Sequence, residues 1–234
     1  MPKSHGVAGV VGRQLGRRAF PQAHRLVPGI TESFIYEALD RAIRGVGPLT
    51  GARAAAEKAL HDNDGNADRA ILDLIRKHMQ YAGAQGFATN IGGLVTAVVS
   101  IPVNLVGLTV IQSRMIAAIA HVRGYDVDDG RVRNAVLTCL IGEDAVKSLV
   151  KKQRIPAPPM ALATAPRHDP ALEETLAGEV TAELITRLAG KRVASTVGRR
   201  VPVVGGVVGA GTDALATWQV GRYASRELLP RARR

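Results

Sequence analysis

Cysteine is all but absent. Cys139 is the sole thiol in 234 residues, which excludes a disulfide framework and any zinc site built from several thiolates. Aromatic side chains are almost as scarce, at 3%, so the interior must be filled by Ala, Val, Leu, Ile and Gly, a composition that favours close helix contacts. There is no P-loop, no dinucleotide-binding glycine fingerprint and no nucleophile elbow. Asp62, Asp64, Asn66, Asp68 and Asp73 fall at the ligand offsets of a calcium loop. Ala67, however, stands where the sharp turn needs glycine, and Asp73 where a bidentate Glu is needed, so the cluster reads as an interhelical turn. Five of the six histidines lie in polar or terminal contexts, and His78 has no ligand at i+4. Neither a metal nor a cofactor is expected, and no catalytic residue is identified.

Acidic residues are in the minority, 20 against 31 Lys and Arg, for a net charge of +11. The excess sits at the two ends. Residues 1–26 carry Lys3, Arg13, Arg17, Arg18 and Arg25 with no acid, and residues 187–234 hold ten basic residues against Asp213 and Glu227. Basic ends suit an anionic surface. The stretches lack interleaved aromatics and any zinc-finger, RNP or helix-turn-helix signature, which argues against nucleic acid. Anionic membrane lipid is therefore the expected partner, with Arg17, Arg18, Arg199 and Arg200 as its expected contacts. Arg17-Arg18-Ala19-Phe20 has the look of a twin-arginine export signal, but the polar Pro21-Gln22-Ala23-His24-Arg25 follows instead of an apolar stretch. The chain reads as not exported.

With hydrophobic residues at 46% and charged ones at 22%, the chain has the composition of a folded protein. The periodicity is helical nearly throughout. Residues 1–28 read as a basic Gly/Arg-rich arm and 29–234 as one helical domain containing a Pro-rich loop at 155–170. Phe34, Ile35, Ala38, Leu39, Ala42 and Ile43 mark a first helix, stopped by Gly45-Val46-Gly47-Pro48. Thr50 is the expected cap of a second helix, Ala52–His61, and a third runs to about Met79. Another begins at Asp126 or Asp128 and continues towards Leu149. Further helices are expected over Ala171–Ala189 and from about Asp213 to Leu229. No apolar/polar alternation persists as a strand requires. The fold class is all-α, a single domain of about six to eight helices.

From Tyr81 to Ser113 there are 33 residues without a charge, longer than the roughly 20 a membrane span needs. Gln85, Asn90, Asn104 and Gln112 are polar within it, Gly92-Gly93 weaken helix, and Pro102 divides it. It reads either as a buried core hairpin or as an element partly inserted in a bilayer. A second glycine-rich apolar run, Val201-Pro202-Val203-Val204-Gly205-Gly206-Val207-Val208-Gly209-Ala210-Gly211, follows Arg199-Arg200. Gly205-x-x-x-Gly209 and Gly92/Gly93 are small-residue surfaces on which helices approach closely. Gly92, Gly93, Pro102, Pro202, Gly205 and Gly209 are thus candidates for helix packing or membrane contact.

Several separate motifs carry a family resemblance. Gly86-Phe87-Ala88-Thr89, Gly92-Gly93-Leu94, Ile101-Pro102-Val103-Asn104-Leu105, Gln112-x-Arg114-Met115-Ile116 and Gly124-Tyr125-Asp126 occur in that order, closed by the glycine-rich run through Thr212-Asp213. In this the chain resembles the EcsC family of bacterial proteins over most of residues 30–229. It departs from the family pattern at Asn104, where Asp is usual, and at Asp213, where Asn is usual. If those two side chains face each other, the exchange keeps a polar pair. The resemblance implies a mostly helical, membrane-associated protein and no catalytic residue.

These readings converge on a non-enzymatic protein bound peripherally to the cytoplasmic face of the membrane, as an accessory to a membrane transport complex. A rival is an enzyme or binding protein for a small hydrophobic or lipid-like ligand, with Asn104, Arg114, Asp126 and Asp213 converging in a polar pocket. A second rival inserts in the membrane and permeabilises it.

Overall fold

Six apolar residues at 3.6-residue spacing make the first helix, α1 (Glu32–Arg44), and five of them, Ile35, Ala38, Leu39, Ala42 and Ile43, are buried. The computed structural model describes residues 32–91, 103–197 and 202–231, with side chains over 33–85, 107–186 and 211–231. After α1 the chain turns through Gly47-Pro48 in a minimal hairpin, β1 (Gly45–Val46) antiparallel to β2 (Leu49–Thr50). Positive φ at Gly45 and Gly47 makes this turn possible. Helix α2 (Ala52–Asp62) buries Ala52, Ala56 and Ala59, a stripe of methyls that lets it lie close against its neighbours. Its N-cap is Gly51, which has no side chain to offer. Thr50, expected in that role, lies in β2 and its hydroxyl is used elsewhere.

Two long helices follow, α3 (Ala67–Ile91) and α4 (Val103–Val122). Helix α4 is the axis of the fold. Met115 to Ala120 are fully buried, and α4 packs on α1, α2, α3 and the two helices α5 and α9 described below. The charge-free run of the sequence is thus split between the end of α3 and the start of α4. Its last residues, Val110 to Ser113, are core. Among the described residues, no helix is long and apolar enough to cross a membrane.

Helix α5 (Gly130–Ile141) is capped by Asp129, which accepts from the Arg131 backbone N–H at 2.8 Å. Asp126 instead holds the preceding turn through the Asp128 N–H. Gly142, at φ 91, breaks what reads in sequence as one helix into α5 and α6 (Glu143–Lys151). The Pro-rich stretch contains a short helix, α7 (Pro159–Ala163), opened by proline at N1. Helix α8 (Pro170–Val197) packs on α5 and α1. Cys139 lies fully buried in α5.

The last helix, α9 (Pro202–Glu227), starts eleven residues before the expected Asp213. The run containing Gly205 and Gly209 is helical, entered through Pro202 at its first position, where proline costs no hydrogen bond. Its most extensive partner is α3. The two run antiparallel. Arg231 donates its N–H to the Arg123 carbonyl, and Arg123 pairs with Asp68 at the start of α3. Along the crossing, Gly221 sits against Ile75 and Met115. The described residues form an all-α domain of nine helices, more than the six to eight expected because of the break at Gly142 and the short α7.

Candidate functional site

Polar side chains on an otherwise apolar helix need buried partners. Helix α4 carries Thr109, Gln112, Ser113 and Arg114 facing inward, all at most 5% exposed. Gln112 Nε2 donates to Thr217 Oγ1 of α9 at 3.2 Å, and the Thr217 hydroxyl donates in turn to the Asp213 carbonyl. Asp213 is itself buried.

Arg114 is the centre of a second cluster. Its Nε donates to the Thr50 carbonyl at 2.5 Å, and its Nη2 to Thr50 Oγ1 at 3.0 Å. Nη1 lies 2.9 Å from His78 Nε2, and His78 Nδ1 lies 2.7 Å from the Leu74 carbonyl. A carbonyl only accepts, so Nδ1 carries the proton, and Nε2 accepts from the guanidinium. Burial drives the His78 pKa down to about 4, with the Arg114 and Lys77 charges acting the same way against the Leu74 hydrogen bond. The ring is therefore neutral at physiological pH and holds Arg114 without cancelling its charge. Burial also lowers the Arg114 pKa, though a guanidinium stays charged. Among the described residues, no carboxylate lies within ion-pair distance of Arg114.

Beside this cluster is a largely apolar cavity of about 440 Å³, lined by Arg41, Val46, Leu49, Tyr81, Ala84, Gly107, Val110 and Ile111; Arg41 is paired with Glu37. Three of its walls lead straight to Arg114. Val110 and Ile111 precede it by one turn of α4, Leu49 precedes Thr50 in β2, and Tyr81 follows His78 by one turn of α3. The Tyr81 ring stands edge-on to His78, centroids 5.6 Å apart.

Of the four residues expected to converge in a polar pocket, Arg114 and Asp213 are buried. Asp126 is on the surface, paired with Arg53 at 3.6 Å. Asn104 lies in the first turn of α4, its side chain outside the described residues. Pro202, Gly205 and Gly209 lie in the first part of α9, where the backbone alone is described, and Gly92, Gly93, Pro102, Arg17, Arg18, Arg199 and Arg200 fall outside the described residues altogether. Sequence reasoning missed His78, Thr50 and Thr217. The available signal was the polar set Thr109, Gln112, Ser113 and Arg114 on a helix with almost no other hydrophilic side chain.

The surface has its own feature. Leu72 on α3 is 41% exposed, and Leu215 and Trp218 on α9 are 54% and 43% exposed. Arg69 and Arg76 flank Leu72 on the outer side of α3, and Arg222 follows Trp218 by one turn on α9, all exposed. Among the described residues, none of these three arginines is in an ion pair.

A model described as the EcsC protein family matches residues 15–232. No curated protein and no solved structure matches the chain.

Proposed function

The chain belongs to the EcsC protein family, and on that premise we propose that it is a non-enzymatic protein held peripherally on the cytoplasmic face of the cell membrane, where it serves a membrane transport complex. The observation that supports this reading is the outer surface of the α3–α9 pair. Exposed Leu72, Leu215 and Trp218 lie on helices that also present Arg69, Arg76 and Arg222 without carboxylate partners among the described residues. Apolar anchors with an interfacial tryptophan among arginines are what an anionic bilayer surface attracts. The basic ends of the chain, with Arg17, Arg18, Arg199 and Arg200, add to the same attraction.

Vesicle sedimentation tests it. The protein pellets with phosphatidylglycerol-containing vesicles at low salt, not with phosphatidylcholine alone, and high salt releases it. Arg222→Gln weakens the binding about fivefold, the share of one surface arginine. Equal binding to neutral vesicles, or none to anionic ones, would sink the reading. Retention through an alkaline carbonate wash would point instead to insertion of residues 81–113, and dye leakage to a permeabilising protein.

A further inference from the structure

Arg114 has five N–H donors in a fixed planar array. Three are engaged: Nε–H and one hydrogen on Nη2 by Thr50, and one hydrogen on Nη1 by His78. Among the described residues nothing takes the remaining two, one on each Nη. Both remain in the guanidinium plane, where a carboxylate can accept from them. A buried cation without a counter-charge is costly, and a ligand anion relieves that cost. The adjoining cavity is largely apolar and of a volume that holds small ligands.

We propose that this cavity binds a small single-chain amphiphile with a carboxylate head, the head on the two free Arg114 N–H groups and the chain against Leu49, Ala84, Val110 and Ile111. One guanidinium beside a neutral imidazole balances one negative charge. A carboxylate supplies that charge, whereas a phosphate monoester carries nearly two. An alcohol leaves the guanidinium uncompensated. Arg114 is not itself a lining residue; Tyr81, half-exposed, lines the cavity and stands edge-on to His78, and the head reaches the guanidinium past its ring.

The inference is independent of membrane binding, so its test contains no membrane. Titration calorimetry on the full chain at neutral pH compares decanoate, decanol and decyl phosphate below their aggregation concentrations. Decanoate binds with one-to-one stoichiometry and roughly tenfold or more tighter than decanol. Arg114→Gln weakens decanoate by a similar factor. Ala84→Phe, a change at an exposed position that fills the cavity and leaves the guanidinium untouched, does the same. The proposal is overturned if decanol equals decanoate, if decyl phosphate binds more tightly than decanoate, or if Ala84→Phe binds decanoate like the parent chain.

Discussion

Lowering the pH from neutrality to about 4 reduces the unfolding free energy on the order of 3 kcal/mol through His78 alone, and His78→Gln removes that part of the loss. In the unfolded chain the imidazole titrates near 6.5, whereas in the fold burial and Arg114 hold its pKa near 4. Above pH 6.5 neither state binds the proton and the contribution is constant. Between 6.5 and 4 the unfolded state takes up a proton that the folded state refuses, so stability falls as the pH falls. Below 4 both states are protonated and the loss levels off. Gln keeps a donor for the Leu74 carbonyl and an acceptor for Arg114, so the variant loses the titration and retains the hydrogen-bonding pattern. Urea unfolding of both proteins at several pH values between 7 and 4 measures the difference. Parallel curves for the two would show that His78 is not the titrating group.

Gly51→Ala lowers stability by about 3 kcal/mol, a fall in melting temperature of roughly 6–12 °C. The reason is space. Gly51 has φ −62, which any residue adopts. A Cβ there, however, would collide with the Ile43 carbonyl oxygen and stand 2.9 Å from the Arg44 carbonyl carbon and oxygen. These are backbone atoms where α1 ends, and they cannot swing aside as a side chain would. Relief requires moving the hairpin. Thr50 is the preceding residue and supplies two of the three acceptors around Arg114, so the same substitution also disorganises the guanidinium. A melting temperature within about 2 °C of the parent would show that the α1–hairpin junction yields freely.

The helices were largely legible because their cores obey one period. Phe34 to Ile43 in α1 and the buried alanines of α2 are spaced as the sequence pattern requires. Where reading stopped short, a longer-range contact decided. The glycines of α9 argue locally against helix, yet α9 runs from Pro202 because it lies against α3 along its length. Conversely, nothing apolar is missing around Gly142, so the periodicity runs through it, and only its positive φ shows that the helix ends there. The candidate site was the least visible part. His78 and Arg114 are 36 positions apart, and Gln112 and Thr217 are 105 apart. No ligand stands at i+4 from His78, and only the packing of α3 on α4 brings its partner Arg114 into reach. The sequence points to Arg114, but in company with Asp126, which the fold leaves on the surface beside Arg53.

The burial of Cys139 has a practical consequence. Burial pushes its thiol well above the usual range, and the thiolate is the species that reacts. Since no other cysteine exists in the chain, every molecule that an alkylating reagent labels has first opened around the C-terminal end of α5. The rate of labelling, compared with that of a free thiol peptide, converts directly into the free energy of that opening. The chain thus carries its own reporter of conformational fluctuation, and ligand or vesicle binding can be followed as protection of a single sulfur atom, with no engineered label.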